Sequence, residues 1–395
     1  MRAGLRSALI GAAFLMATSA IGPGFLTQTA VFTEQLGPSF GFAILVSIVI
    51  DLVAQLNIWR VITVTGQRAG AIADAVAPGL GTVLALLVAL GGLAFNVGNV
   101  AGAGLGLNVL AGVPVWLGAV LSAALAIALF LVKETGRAMD RFTVALGFVL
   151  VALTAYVAVA SAPPVGEALL RSVAPVSLDV VSIVTIVGGT VGGYITFAGA
   201  HRLVDAEVRG AEQVPAVTRS AVTAIGIASV MRIVLFLAAL GVVSQGLRLD
   251  PANPSASVFR HVTGEIGYRL AGLVMWAAAI TSVVGAAYTS VSFLRGLHEA
   301  LERHWPRVVI GFIAISTLVF VLIGQPVKVL VLVGALNGLI LPVGLLTMIV
   351  AAHRRSIVGA YRHPPILSVL GVVVALVMAG AGAWWIRTAL PKLLG

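Results

Sequence analysis

Long apolar runs recur along almost the whole chain and leave only short polar connections between them. A helix needs about 20 apolar residues to cross a bilayer, and most of the runs reach or approach that length. They lie at 8–36, 40–64, 80–111, 114–132, 142–161, 179–201, 217–245, 269–294, 308–323, 328–351 and 366–390. The longest connections, near 202–216 and 246–268, are polar. This pattern predicts an all-α polytopic membrane protein with about 11 transmembrane helices and no soluble domain.

Composition narrows the class further. The chain is 60% hydrophobic and 10% charged, which lies far outside the soluble range. It has no cysteine, so disulfides, thiolate metal sites and cysteine nucleophiles are excluded. A net charge of +10 could indicate nucleic acid, but the basic residues lie in short loops between apolar runs. We therefore expect a lipid bilayer, and no nucleic acid, as a partner.

Basic residues are distributed unevenly between alternate loops. Arg2, Arg6 and most other Arg and Lys residues fall on the side of the N-terminus, while few, such as Arg171 and Arg248, fall opposite. The positive-inside rule then predicts a multi-pass protein of the cell (inner) membrane. Its N-terminus is expected in the cytoplasm and its C-terminus outside.

Two apolar runs are interrupted by helix-breaking residues. The first contains Ile21-Gly22-Pro23-Gly24-Phe25 near its middle, where proline removes a backbone donor and glycine favours non-helical dihedrals. The second contains four glycines within 187–194, about five spans later. Unwound backbone at membrane depth is tolerated where it lines a cavity, and paired broken helices indicate a transporter's substrate site. Glycine-mediated helix packing is the alternative explanation, above all for the second place.

The position of the two interruptions also predicts the topology. Five spans precede the second half, so the two halves are inverted relative to each other. We expect one transmembrane domain over 1–395, with a first repeat at 1–161, a second at 179–351 and an extra helix at 366–390. This is the LeuT-like five-plus-five inverted repeat with discontinuous first and sixth helices.

The first interruption offers a binding site for an anionic or carbonyl group. Backbone amides around the break should face a cavity, at the positive end of a half-helix expected to start at Leu26. No cationic side chain is evident at either break. The candidate substrate-binding residues here are Thr18, Ser19, Gly22, Pro23, Gly24, Phe25, Thr27 and Gln28.

The second interruption and the third span supply further neutral candidates. Near the second break, hydroxyl groups could bind substrate while glycines leave space for it; helix–helix hydrogen bonding is the alternative. On the third span, two asparagines three residues apart share one helix face and can bind a ligand but cannot carry a proton. These candidates are Gly189, Gly192, Gly193, Tyr194 and Thr196, together with Asn96 and Asn99.

Ionisable residues within spans are candidates for ion coupling or gating. Asp51 lies on the second span and Arg232 deep in the seventh, so they could form a pair, either structural or functional. Glu34 could gate the outer mouth or be solvated. His201 closes the sixth span, where a solvated helix end is the alternative. No phosphate-binding glycine loop, His-Glu-x-x-His pair or nucleophile elbow occurs, so we expect neither an enzyme nor a cofactor.

Most of the chain resembles the natural resistance-associated macrophage protein (NRAMP) family of proton-coupled divalent metal transporters. Family first spans carry Asp-Pro-Gly-Asn at their break, where this chain has Gly22-Pro23-Gly24-Phe25. The third spans of the family end in a stretch similar to Leu107–Pro114 of this chain. The sixth spans of the family carry Gly-Ala-Thr-Val-Met-Pro-His where this chain has Gly188–Tyr194.

The resemblance extends to the scaffold but not to the metal ligands. The family's metal-binding aspartate, asparagine and methionine correspond to Gly22, Phe25 and Gly192, and a glutamine of the tenth span to Ile340. Two acidic residues that the family uses in proton movement correspond to Asn96 and Asn99 of the third span. Glycine, phenylalanine and isoleucine side chains offer a divalent cation no ligand. The sequence therefore predicts no metal at this site.

The sequence of residues 16–29 resembles that of a bacterial branch of NRAMP-related proteins, whose genes often neighbour those of 5-oxoprolinase. That resemblance implies a small organic acid such as 5-oxoproline as substrate. The leading hypothesis is an alternating-access symporter for a small carboxylate or amino-acid-like solute, coupled to H⁺ or Na⁺. A divalent-metal transporter with an unusual site and a non-transporting membrane receptor or scaffold are the alternatives.

Overall fold

The computed structural model describes residues 9, 11, 20–132, 136–294 and 297–388, with only the backbone described for 136–145. The described backbone is helical and contains no strand. Two 3₁₀ turns, Gly37–Ser39 and Ala211–Gln213, connect longer helices. The α-helices are α1 Pro23–Leu36, α2 Phe40–Thr65, α3 Ala69–Val76, α4 Leu80–Ala111, α5 Val115–Leu131, α6 Gly136–Ala160, α7 Val165–Val173, α8 Val180–Thr190, α9 Ile195–Asp205, α10 Val214–Ser244, α11 Pro254–Leu294, α12 Glu299–Arg303, α13 Trp305–Ile323, α14 Pro326–Ala352, α15 Arg355–Val358 and α16 Pro365–Thr388.

Helices lie on all of the predicted apolar runs. Within the described ranges, 8 helical segments are long and apolar enough to cross a membrane, or 9 if α6 and α7 form one bent span. The sequence-based number of about 11 is higher for two reasons. Pro23–Thr65 joins two predicted spans into one continuous segment, and α5 is apolar but has only 17 residues.

Local sequence explains where several helices begin and end. α1 starts at Pro23 rather than at the predicted Leu26, because proline is favoured in the first turn, where its missing N–H is not needed. α2 ends at Thr65, because the next residue, Gly66, has a φ of 62° and thus the left-handed conformation that glycine tolerates. Asp179 caps α8 by accepting hydrogen bonds from the backbone N–H groups of Val181 and Ser182.

Two features of the connections differ from the prediction. After α6 the chain turns by 103° into α7, an amphipathic helix that the apolar pattern did not indicate. The predicted polar connector at 246–268 is helical from Pro254, and Gly264, with a φ of 66° and a ψ of −155°, kinks α11. Both helices are flanked by proline at their start, which limits how far the preceding segment can continue.

The two interrupted helices lie inside the bundle. α1 contacts α4, α8, α10, α11 and α14, while α8 packs along α14 and also touches α2. α4 is the central partner of α11, α14 and α5. Trp59 of α2, Phe197 of α9 and Phe259 of α11 are among the largest fully buried side chains. The helices thus enclose both breaks within the bundle.

Candidate functional site

The first break exposes the amino end of α1. Ile21 and Gly22 are not helical, and Gly22 has an extended backbone with a φ of −104°. No side chain caps the helix, and the first helical bond runs from the Leu26 N–H to the Gly22 carbonyl at 3.2 Å. Pro23 has no N–H, so Gly24 and Phe25 supply the amide donors without a partner in the helix. Together they form a small, partially positive donor site.

This end of α1 faces a narrow cavity between α1, α4, α8 and α14. Six of the predicted substrate-binding residues line it: Gly22, Gly24, Phe25, Gln28, Asn99 and Gly189. The remaining lining residues, mostly apolar or small, are Ala20, Phe95, Gly98, Leu330, Val333 and Gly334. Residues from both broken helices therefore meet at one cavity. Thr18 and Ser19 lie outside the described residues.

Two amide side chains place unsatisfied polar atoms at this cavity. Gln28 donates from Nε2 to the Leu330 carbonyl at 2.7 Å. That carbonyl can only accept, so the orientation of the amide is fixed and its Oε1 faces Gly189. Gln28 Oε1 and Asn99 Nδ2 are buried and have no hydrogen-bond partner among the described residues. The cavity thus presents one acceptor and one donor in addition to the α1 amides.

A cationic side chain lies beside both breaks, contrary to the sequence-based expectation. Arg232 of α10 places its guanidinium carbon 4.3 Å from the centre of the Phe25 ring. Its Nη1 donates to Thr190 Oγ1 at 2.9 Å and to the Ile186 carbonyl at 3.3 Å. Arg232 is 3% exposed and stabilises the negative, carboxyl end of α8. Because Arg232 is remote in sequence from both breaks, no local pattern could place it there.

Asp51 is the acidic side chain that the described part of the chain buries, with 1% exposure. Its Oδ1 has no hydrogen-bond partner among the described residues. Arg232 is the charged group that acts on it electrostatically. Asp51 and Arg232 do not form an ion pair. The salt bridges in the described part of the chain are Arg68–Asp205, Arg171–Glu167, Arg260–Glu265 and Arg269–Glu265. The pairing left open by the sequence is not formed in this structure.

The second break is closed by packing against α14. Val191–Tyr194 form a turn between α8 and α9, and the Gly193 N–H donates to the Asn337 carbonyl at 3.0 Å. A Cβ at Gly188 would collide with the Gly334 backbone, and one at Gly193 would collide with Ile340. The expectation that these glycines leave space for substrate is therefore wrong for Gly192 and Gly193, which do not line the cavity.

Several other predicted binding residues face neighbouring helices instead of the cavity. Tyr194 packs against Phe95 with ring centres 5.6 Å apart, and its hydroxyl donates to the Ala286 carbonyl at 3.5 Å. Asn96 donates to Ser316 of α13 at 3.2 Å, so it does not share a space with Asn99. Thr27 and Thr196 are fully buried away from the cavity lining. Pro23 packs tightly against Gly102 of α4.

The two helix-end candidates differ in their environment. Glu34 is exposed, and its Oε1 accepts a hydrogen bond from the Leu249 N–H at 2.8 Å, which connects α1 to the segment before α11. His201 is 4% exposed, so a solvated helix end is the wrong description. Its Nε2 accepts from the Ala69 N–H at 3.2 Å, and its ring stacks on Phe293 at 4.0 Å. His201 therefore joins α9 to the start of α3.

A family profile described as "Natural resistance-associated macrophage protein-like" matches residues 13–388. The chain belongs to the NRAMP family. This NRAMP protein is 58% identical over 392 residues to the uncharacterised membrane protein YcsG of Bacillus subtilis, covering 99% of this chain and 97% of YcsG. It is 57% identical over 374 residues to an uncharacterised membrane protein of Haemophilus influenzae, covering 95% and 94% of the two chains.

Solved structures of similar fold include transporters of the same family. A manganese transporter of Eremococcus coleocola, in complex with an aromatic bis-isothiourea compound, has a TM-score of 0.76 at 14% identity, covering 98% of this chain and 88% of that chain. MhsT in complex with L-phenylalanine has a TM-score of 0.64 at 16% identity, covering 96% and 98%. The fold of this NRAMP protein is LeuT-like, and the family places it among secondary transporters.

The residues that the resemblance sets at the family's metal-ligand positions have side chains without ligand chemistry. Gly22 and Phe25 stand at the cavity, while Ile340 packs against Gly193. No group of three or more His, Asp or Glu side chains that could hold a metal occurs in the part of the chain that the structure describes. What the cavity offers is neutral: amide donors, the Asn99 amide and the Gln28 carbonyl oxygen.

Proposed function

We propose that this NRAMP protein is an ion-coupled, alternating-access transporter of a small carboxylate or amino-acid-like solute, with 5-oxoproline as the first candidate. The observation that supports this proposal is the unsatisfied polar set at the cavity. The Gly24 and Phe25 amides and Asn99 Nδ2 can donate to a carboxylate, and Gln28 Oε1 can accept from a solute N–H. A lactam acid such as 5-oxoproline carries both groups. Buried polar atoms left unpaired are costly, so a ligand that pairs them gains affinity.

A divalent-metal transporter is the second candidate, because the E. coleocola neighbour is a manganese transporter. The cavity argues against it, since a divalent cation needs several oxygen, nitrogen or thioether ligands to replace its water. Gln28 Oε1 and backbone carbonyls would leave a doubly charged ion poorly compensated. We therefore expect no saturable manganese or iron(II) uptake.

Uptake into proteoliposomes tests both candidates side by side. We expect saturable uptake of radiolabelled 5-oxoproline, driven by an imposed H⁺ or Na⁺ gradient, and only background manganese uptake. Saturable, micromolar manganese uptake would replace the proposal with the metal transporter. Saturable binding of a carboxylate without any uptake would instead indicate a receptor.

Asp51 is the proposed coupling residue, because it is a buried carboxyl group with an unpartnered oxygen near Arg232. Replacement by Asn keeps the size and removes the titratable group. We expect D51N to bind solute but to lose gradient-driven accumulation while solute exchange continues. Equal accumulation by D51N and the unmodified protein would remove Asp51 from the coupling step.

The proposed orientation places the N-terminus in the cytoplasm of a bacterial cell. The absence of cysteine lets single cysteines be introduced for accessibility labelling. Cysteines at Arg171 and Arg248 should react with a membrane-impermeant maleimide from outside, and a cysteine at Arg209 only after permeabilisation. The reverse pattern would invert the proposed topology.

A further inference from the structure

We propose that Arg232 is the counter-charge for the substrate carboxylate and that the Phe25 ring gates access to it. This inference deepens the proposed function, because it rests on a carboxylate substrate at the same cavity. It adds a full positive charge to the partial positive charge that the α1 amides supply there.

The hydrogen bonds of Arg232 use only one end of its guanidinium. Nη1 is held by Thr190 and by the Ile186 carbonyl. Nε and Nη2 are buried and have no hydrogen-bond partner among the described residues. The N–H groups of Nε and Nη2 lie on one edge of the planar group, and such an edge binds both oxygens of a carboxylate in parallel. The unpartnered edge therefore has the geometry of a carboxylate receptor.

Nothing in the described part of the chain neutralises this edge by direct contact. Asp51 acts on Arg232 through its charge but forms no ion pair with it. A buried charge with unpaired donors is costly, and an anionic ligand that completes its hydrogen bonds gains the difference. The same argument explains why a carboxylate is favoured over a neutral solute of similar shape.

Phe25 is the residue that links the Arg232 guanidinium to the wall of the cavity. The ring that stacks on the guanidinium at 4.3 Å is also a wall residue of the cavity. On the other side, Thr190, which holds Nη1, directly follows the wall residue Gly189. In the proposed gate, rotation of the Phe25 ring away from Arg232 opens the guanidinium to the cavity. Phe25 stands at the family's metal-ligand position and here serves as the gate.

The test measures discrimination between a carboxylate and its neutral analogue. Purified protein in detergent is titrated calorimetrically with 5-oxoproline and with its carboxamide, in which an uncharged NH₂ group replaces one carboxylate oxygen. The test variant is R232K, which keeps a positive charge able to reach Thr190 but lacks the planar edge. The control is T154V in α6, which removes a buried hydroxyl that bonds only within its own helix.

We expect the unmodified protein to prefer the carboxylate by at least about tenfold, since hydrogen bonds to charged groups are the strong ones. R232K should reduce this preference about tenfold, and T154V should leave it intact even if its stability falls. A preference in R232K equal to that of the unmodified protein would overturn the role of Arg232. If the unmodified protein binds neither compound but binds manganese, the proposed function itself fails.

The gate is tested separately with acetate as a minimal carboxylate. F25A removes the ring that covers Arg232, so acetate should raise the thermal stability of F25A more than that of the unmodified protein. The double variant F25A/R232K should lose this gain. An acetate effect that is the same in all three proteins would overturn the gating role of Phe25.

Discussion

The two broken helices of this NRAMP protein look equivalent in sequence but have opposite structures. At the first break, the amino end of α1 is uncapped and opens on the cavity. At the second, the backbone is closed by its own hydrogen bonds, by the Asn337 carbonyl and by close packing on α14. Glycines therefore have different roles at the two breaks. The first break leaves backbone N–H groups free for a ligand, and the glycines of the second break let α8 and α14 approach closely.

Arg232 connects these two breaks. It stabilises the carboxyl end of α8 through Thr190 and covers Phe25 of α1 with the same guanidinium. A structural change at one break can therefore alter the other break through the Arg232 side chain. Four substitutions of glycine, ordered from the largest expected effect to the smallest, test how different the two breaks are.

The largest effect is expected at Gly22, where we predict that Asp nearly abolishes carboxylate binding. Gly22 has an extended backbone that any residue adopts, so its replacement is free of backbone strain. An added carboxylate about 4 Å from that of the ligand costs roughly 4 kcal/mol at an effective dielectric of about 20. This is nearly a thousandfold in affinity, measured by calorimetry with 5-oxoproline.

The matched control is G22N, which has the same size and is neutral. Asn and Asp are both good N-caps, so both should occupy the α1 amides, and only Asp adds charge. We expect G22N to lose clearly less affinity for 5-oxoproline than G22D. Equal affinities for the two variants would mean that the carboxylate lies elsewhere.

The second prediction concerns stability at the closed break. G188A should lower the free energy of unfolding by about 1–3 kcal/mol, because its methyl group meets the backbone of Gly334 and overpacking cannot be relieved there. Thermal unfolding in detergent measures the loss. G226A is the control, since a Cβ at Gly226 in α10 meets no atom within 4 Å. Identical unfolding temperatures for the two variants would contradict the close approach of α8 and α14.

The two breaks differ in how much of their structure could be predicted from the sequence. The α1 break was predictable because Pro23 and its neighbouring glycines disfavour a helix locally. The closed state of the second break was not, since it depends on Gly334 and Ile340 of a helix more than a hundred residues away. Arg232 was recognised as a buried ionisable residue, but its contact with Phe25 is tertiary. α7 was missed because it is amphipathic and lies outside the apolar pattern.

The third prediction addresses the one residue of the second break that does line the cavity. A Cβ at Gly189 would lie 2.8 Å from Gln28 Oε1, so G189A should push this acceptor out of place. We expect about a fivefold to tenfold loss of affinity for 5-oxoproline, the value of one hydrogen bond. Calorimetry with acetate, which has no N–H group, provides the contrast. An equal loss for both ligands would show that the methyl group acts by bulk alone.

The smallest effect is expected for G24A at the open break. A Cβ there would lie 3.5 Å from Gln28 Nε2 and 3.9 Å from the Leu330 side chain, which are ordinary van der Waals contacts. The backbone N–H of residue 24 remains a donor after the substitution, and alanine is favourable within a helix. Stability should change by about 0.5 kcal/mol or less, and affinity for 5-oxoproline by less than about threefold. If G24A instead destabilised the protein as much as G188A, the two breaks would be packed alike, and the α1 amides would not be accessible to a ligand.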